Sequence, residues 1–369
     1  MEMDMKKAIT LLLVFMLANI SPIVIERNSS ASTNDLPSSF TWRDINGTDY
    51  TTPIKNQAPA PTCEAYGLVA SLETKMQYQV GKIYNPDLSE AHLYFYPGGT
   101  VRAGYVNIID AANYLVEHGV PDEGCFPDPH RPYDFPFESL QGWENRTVKI
   151  TEWGWVNHTQ DAIKKALIEH GPLAVCVRFY KDFYYYTGGV YKHRWGTIAG
   201  GHVMAIVGYD DDEECWIIKN SWGTGWGEDG WLRISYDDLY IAEWYGDGTG
   251  VMYLGDVYGN LMPDVPKIQI EQPSIYHTYI FGHEFPTIFR EVPGIQVGAP
   301  RIAGPIMVKV NASNTNKVEF YGDGELKYAD EEQPYEWLFR SSPGLHTIET
   351  FAYNGESVSK DIVDVFVLI

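Results

Sequence analysis

Four polar side chains, Gln57, Cys63, His202 and Asn220, stand where their residue types can do chemistry. Cys63 lies where a proline-bearing loop, Ala58-Pro59-Ala60-Pro61-Thr62, enters a stretch with apolar residues Ala65, Leu68, Val69, Leu72 and Met76 at helical spacing. A thiol at a helix N-terminus faces unpaired backbone N–H groups and the positive end of the helix dipole. Both favour thiolate, the nucleophilic form, over thiol. A buried structural cysteine is the alternative reading of this residue by itself. His202 follows Gly200-Gly201 and opens an apolar strand pattern that runs to Tyr209. Asn220 sits in Lys219-Asn220-Ser221-Trp222-Gly223, followed by Thr224-Gly225-Trp226-Gly227. Two tryptophans among three glycines predict tight turns wrapped around large rings.

The elements that must hold these residues can be read from periodicity. Ile108, Ala111, Ala112, Leu115 and Val116 repeat the helical period and stop at Gly119. Past Gly171 the pattern changes to short strands at Leu173–Val177, His202–Tyr209, Trp216–Lys219 and Trp231–Ile234. Helices first and strands later predict an α+β domain with the two kinds segregated. Prolines in Met262-Pro263-Asp264-Val265-Pro266 mark a boundary. Beyond it Ile306–Val310, Lys317–Tyr321, Tyr335–Phe339, His346–Tyr353 and Val363–Ile369 alternate as in an all-β sandwich. No motif is evident between Lys267 and Ala299.

At the other end, Lys6 and Lys7 precede an apolar run over residues 8–25. This predicts a signal peptide or an N-terminal membrane anchor in residues 1–25, then a polar linker over 26–35. Either reading places the rest of the chain outside the cytoplasm, secreted or at the outer face of the cell membrane. With 27 basic against 49 acidic residues the formal net charge is −22. That balance argues against nucleic acid and against docking to anionic lipid. A 44% hydrophobic and 14% aromatic composition excludes a disordered chain. The acidic run from Asp210 to Glu214 lacks the spacing of a calcium loop and reads as a solvated turn between strands. Neither a metal nor a cofactor is expected.

Ile54-Lys55-Asn56-Gln57 through Cys63 resembles the segment before the nucleophile of papain-like cysteine peptidases, and residues 201–227 resemble their histidine and asparagine region. Leu88-Ser89-Glu90, the pair Gly98-Gly99, and Leu36-Pro37-Ser38-Ser39-Phe40-Thr41-Trp42-Arg43 look like further motifs of that family. The separation of about 140 residues between Cys63 and His202 fits it as well. The resemblance implies a two-lobed fold over residues 36–257, a helical lobe plus a β-barrel-like lobe. Residues 258–369 would hold a linker and an all-β domain. Within them, Lys317–Tyr321, Gln333-Pro334-Tyr335 and Gly344-Leu345-His346 resemble immunoglobulin-like domains of exported prokaryotic proteins, with a role in spacing or adhesion.

The same resemblance implies roles. Cys63 would attack the peptide carbonyl and His202 would act as acid and base. Asn220 would orient the imidazole, under the shelter of Trp222. Gln57 and the Cys63 backbone N–H would form the oxyanion hole. Gly98, Gly99 and Gly201 would line the substrate cleft, with the Gly99 backbone pairing with an extended peptide. A catalytically impaired peptide-binding or adhesion protein, and a transpeptidase, are the competing functions.

Two departures qualify the resemblance. Ala60 replaces the first cysteine of the family signature C-G-[SA]-C-[WY], so its disulfide cannot form. Glu64 replaces the aromatic residue after the nucleophile. A carboxylate there disfavours a neighbouring thiolate, so the reactive window is expected to move to higher pH. Cys125, Cys176 and Cys215 form an odd remainder that allows at most one internal bridge.

Overall fold

The described chain begins with strand β1 (Ser39–Thr41) and the 18-residue helix α1 (Cys63–Val80), followed by helices α2 (Glu90–Phe95) and α3 (Ile108–Glu117). Strands β2 (Val148–Ile150) and β3 (Trp153–Trp155) lead into helix α4 (Gln160–His170) and strand β4 (Leu173–Tyr180). Then come β5 (Val190–Tyr191), β6 (Ile198–Asp210), β7 (Cys215–Lys219), β8 (Trp231–Ser235), β9 (Val251–Leu254) and β10 (Val257–Gly259). This computed structural model describes residues 36–128, 139–243, 249–261, 264–287 and 298–369. The expected export segment and its linker, residues 1–35, lie outside the described residues.

The helices begin where their sequences supply a cap. Ser89 Oγ accepts from the His92 N–H, Asn107 Oδ1 from Ile109 and Thr159 Oγ1 from Ala162. Helix α1 ends at Gly81, whose left-handed φ of 70° lets its N–H bond back to the carbonyls of Gln77 and Tyr78. Its apolar face, Ala65, Leu68, Val69, Leu72 and Met76, is almost wholly buried, as the helical spacing predicted.

Strands β3, β9, β4, β6, β7, β8 and β5 form one sheet in that order, with β1 also paired to β6. The segregation expected from the sequence is therefore incomplete. Strand β1 crosses from the front of the chain to lie on β6, and α4 sits among the strands. Strand β4 shows how the two lobes share the sheet. Leu173, Val175 and Val177 join a cluster with Ile206, Trp216 and Leu232, whereas Ala174 and Cys176 join α1 and α3 on the opposite face. The twofold alternation of a strand accounts for this split.

Helix α1 packs on β6 closely enough to demand glycine. A Cβ at Gly67 would lie 2.7 Å from Val203 Cγ1 and 3.3 Å from the Met204 carbonyl oxygen. This seating places the first turn of α1, and with it Cys63, beside His202 and Val203.

The remaining strands are β11 (Lys267–Gln272), β12 (His277–Ile280), β13 (His283–Pro286), β14 (Arg301–Ala303), β15 (Ile306–Ser313), β16 (Lys317–Gly322), β17 (Glu325–Asp330), β18 (Tyr335–Phe339), β19 (Gly344–Asn354) and β20 (Ser357–Val367). They form a three-stranded sheet, β11-β15-β18, and a seven-stranded sheet, β13-β12-β14-β20-β19-β16-β17. Between them lies a separate core that includes Val308, Val318, Phe320, Ile348 and Val365. The stretch where the sequence offered no motif thus contains three strands, β11 to β13. Leu261 still packs on the helical cluster, and Ile268 already packs on this third one.

The β-rich region docks on the helical lobe through Arg146. Its Nε bonds Asp122 at 2.7 Å, Nη1 reaches the Val358 carbonyl at 2.6 Å, and Nη2 reaches Ser359 Oγ at 3.0 Å. Among the described residues no helix is long and apolar enough to cross a membrane, and no group of three or more acidic, His or Cys side chains is arranged to hold a metal. All four cysteines are free, so the one bridge the sequence allowed is not made.

Gly67→Ala is expected to cost about 1–3 kcal/mol, the usual range for overpacking a tight contact. Urea unfolding measures it.

Candidate active site

Two segments distant in sequence are zipped together beside the start of α1. The Gln57 N–H donates to the Ser221 carbonyl at 2.9 Å, the Gly223 N–H donates to Lys55 at 3.1 Å, and Asn56 bridges to Trp222. Ser221 Oγ donates to Gln57 Oε1 at 2.7 Å, which fixes the amide with Nε2 on its other side. That Nε2 donates one hydrogen to the Ala60 carbonyl at 3.2 Å. A second N–H remains, because a carboxamide carries two.

His202 is buried at the β6 end of this junction, with Nε2 at 2.7 Å from Asn220 Oδ1. The Ser221 backbone N–H also points at Oδ1, at 2.8 Å, so that atom is an acceptor and Nε2 carries the proton. In the neutral ring Nδ1 is then the basic nitrogen. The Trp222 ring lies 4.8 Å from the imidazole centroid and Phe179 lies 6.0 Å away, which keeps water from the His202–Asn220 bond. Trp222 itself is stacked on Tyr184 and edge-on to Phe183 and Trp226. Left-handed glycines at 223 and 227, φ 74° and 63°, make the turns around these rings that the Trp and Gly pattern predicted.

Cys63 is the first residue of α1 and keeps a partly exposed edge. The backbone N–H of Val203, the residue after His202, reaches its sulfur. Burial and then the neighbouring Glu64 charge push the thiol well above its ordinary range, and the Val203 hydrogen bond opposes them. Burial lowers His202 to about 4 despite its bond to Asn220. Desolvation thus works against charge on either group. The helix dipole read from the sequence is outweighed by desolvation.

A buried charge network that the sequence reading missed braces both segments. Lys55 Nζ bonds the carboxylates of Glu73, Asp87 and Glu90 at 2.9, 2.7 and 2.8 Å. Thr52 donates to Glu73 at 2.6 Å and accepts from Lys219 Nζ at 2.7 Å. Burial would lower Lys55, yet Asp87, Glu73 and Glu90 raise it well above its usual value. Burial takes Lys219 down to about 8. Helix α1 is thus tied, through Glu73, to the residues just before Gln57 and just before Asn220. The available signal was Glu73 itself, a carboxylate in a helix whose neighbouring positions are core residues.

The glycines expected to line the cleft differ from one another. Gly98 is exposed, with φ 102° and open space where a Cβ would be. Gly99 is buried, and a Cβ there would lie 2.3 Å from the Tyr94 carbonyl oxygen. The Gly99 N–H already donates to Tyr94 at 3.0 Å and the Gly98 N–H to Phe95 at 3.1 Å. The N–H groups of this pair are therefore engaged within the chain, and any pairing of the Gly99 backbone with an extended peptide would use its carbonyl. Gly201 is exposed on β6 opposite Arg178.

The sequence profile of the family described as "Papain family cysteine protease" matches residues 36–243, more than half of the chain. The chain belongs to that family. Fruit bromelain of Ananas comosus is 28% identical over 233 residues, 58% of this papain-family chain and 60% of its own length. Cathepsin B-like CP3 of Giardia intestinalis is 54% identical over 76 residues, 20% of this chain and 25% of its own length. This papain-family chain therefore spans less than two thirds of either relative. The solved structure of the bromelain protease from Ananas comosus in complex with the E64 inhibitor is 26% identical, with a TM-score of 0.49, and covers 59% of this chain and 99% of that one. These relatives are eukaryotic and lend nothing to the prokaryotic type expected from the sequence.

Glu73→Gln is expected to destabilise the protein by on the order of 3 kcal/mol, because it removes a carboxylate from a buried cation. Chemical denaturation measures this, and kcat should fall more than KM rises as Gln57 and Asn220 lose their common anchor.

Proposed function

We propose that the chain is an exported thiol peptidase that hydrolyses peptide bonds through a thioester on Cys63. The observation that carries this reading is the buried His202 Nε2–Asn220 Oδ1 bond of 2.7 Å on the strand whose next N–H reaches the Cys63 sulfur. With Nε2 held by Asn220, Nδ1 is the nitrogen available to take the thiol proton. The thiolate attacks the scissile carbonyl carbon, and its C=O electron pair moves to oxygen. That oxyanion lies between the remaining Gln57 N–H and the Cys63 backbone N–H, donors worth about 2.7–4 kcal/mol each in such sites. Collapse expels the amine, which takes the proton from His202, and leaves the thioester. Water then attacks with His202 as base, releasing the acid and restoring the thiol.

The export reading rests on Lys6, Lys7 and the apolar run over residues 8–25, which would be cleaved or would anchor the chain. Residues 258–369 would act as an immunoglobulin-like domain that spaces the peptidase or contacts the cell surface. Two facing sheets around one core support that reading. Cell fractionation tests the location, and recovery of the full chain in the cytosol would overturn it.

Cys63→Ser and His202→Ala are each expected to lower kcat/KM on peptide substrates by at least about a thousandfold, whereas Asn220→Ala costs less. Iodoacetamide should modify Cys63 faster than the three buried thiols, and His202→Ala should remove that difference. Equal slow labelling in both proteins, with no hydrolysis, would favour the peptide-binding alternative. A new amide bond formed with an added amine would mark a transpeptidase.

A further inference from the structure

Directly after the nucleophile lies a carboxyl that the mechanism above does not use. Glu64 is only 8% exposed, and Cys63 Sγ donates to its Oε2 at 3.6 Å. From β4 the buried Cys176 thiol faces it, and from β6 the N–H of Val203, the residue after His202, lies beside the same sulfur. Among the described residues no cation pairs with it. A carboxylate so placed is a buried, uncompensated charge, which burial disfavours more than a helix N-terminus favours it. Burial accordingly pushes Glu64 up to about 7, against the opposing pull of its own backbone N–H and the Cys63 thiol.

We propose that Glu64 is a further catalytic residue, which in its protonated form turns the hydrogen bond round and donates to the Cys63 thiolate. The proposal rests on the assignment of Cys63 and His202 made above. Its proton balance is explicit. With Glu64 ionised the site has a net charge of −1, whether the Cys63 proton sits on sulfur or on His202. The reactive site holds a thiolate, a carboxylic acid and an imidazolium, with a net charge of zero. One proton comes from the thiol and one from solvent, so the reactive state carries one proton more. An arrangement of zero net charge is also the cheaper one to bury.

The sign of the pH dependence follows. A state that gains a proton is populated at low pH and lost as pH rises through the Glu64 ionisation. The carboxyl therefore sets the alkaline limit of activity. The sequence led to an expectation of a window moved to higher pH, for a carboxylate ionised throughout. Burial removes that premise and reverses the direction.

Glu64→Gln keeps the shape and donates an N–H at every pH without a charge. Its alkaline limb of kcat/KM is expected at least about one pH unit above that of the wild type, a tenfold gain on the alkaline side. The rate of Cys63 alkylation by iodoacetamide, read against Cys125, Cys176 and Cys215 in the same protein, reports the thiolate without any substrate. In the wild type that rate should fall as pH rises through the limb, and in Glu64→Gln it should not. Coincident alkaline limbs, or alkylation profiles of the same shape, would overturn the proposal. If the variant does not fold, the wild type decides alone, since a rate rising steadily from pH 5 to 9 is incompatible with a thiolate that needs Glu64 protonated. Hydrolysis that survives Cys63→Ser would instead sink the assignment of the nucleophile.

Discussion

The contact between Gly67 of α1 and Val203 of β6 governs the distance between the two halves of the site. Cys63 begins that helix, and His202 precedes that valine on the strand. Their meeting is a packing result, since nothing in either segment attracts the other chemically before the helix is seated. A side chain at position 67 would lift α1 off the strand and carry the sulfur away from the Val203 N–H. The network from Lys55 through Glu73 to Thr52 and Lys219 reinforces the same seating from below. It fastens the helix to the segments that carry Gln57 and Asn220. One rigid arrangement thereby fixes Cys63, His202, Asn220 and Gln57 together, the preorganisation that the proposed catalysis requires.

Burial that achieves this precision also sets the protonation of the site. Thiol, carboxyl and imidazole are each driven toward their neutral forms by desolvation, and hydrogen bonds oppose each shift. Charge can be developed there only in compensating pairs. This constraint explains how a carboxyl can be tolerated next to a thiolate-forming cysteine, a position where the sequence suggested only repulsion.

The β-rich C-terminal region is held to the helical lobe by specific polar contacts more than by a shared apolar core. Arg146 spans Asp122 on one side and Val358 and Ser359 on the other, and Gly124 packs so closely that a Cβ would lie 2.7 Å from the Ser359 side chain. A would-be Cβ at Gly298 lies 3.6 Å from Pro59, in the loop just before Cys63. The region is thus docked on the lobe that carries Cys63, and it touches the loop that ends at that residue.

By itself the sequence determined what is local. Apolar residues at helical spacing marked α1 and α3, alternation marked most of the long strands, and the Trp and Gly pattern marked the turns around Trp222. The types and order of Gln57, Cys63, His202 and Asn220 stood out as a pattern because chemistry restricts each proposed role to few residues. Strand β1, helix α4 and strands β11 to β13 were not legible, since short or partly polar segments take their structure from the partners they pair with. The tertiary structure alone decided that Gly99 spends its N–H on Tyr94, that Glu73 anchors the site, and that burial raises the Glu64 carboxyl to about 7. Those outcomes depend on desolvation and on neighbours distant in the chain, such as Lys219 and Thr52, 167 residues apart. Local pattern cannot encode them, because the free energy of a buried polar group is set by what folding brings against it.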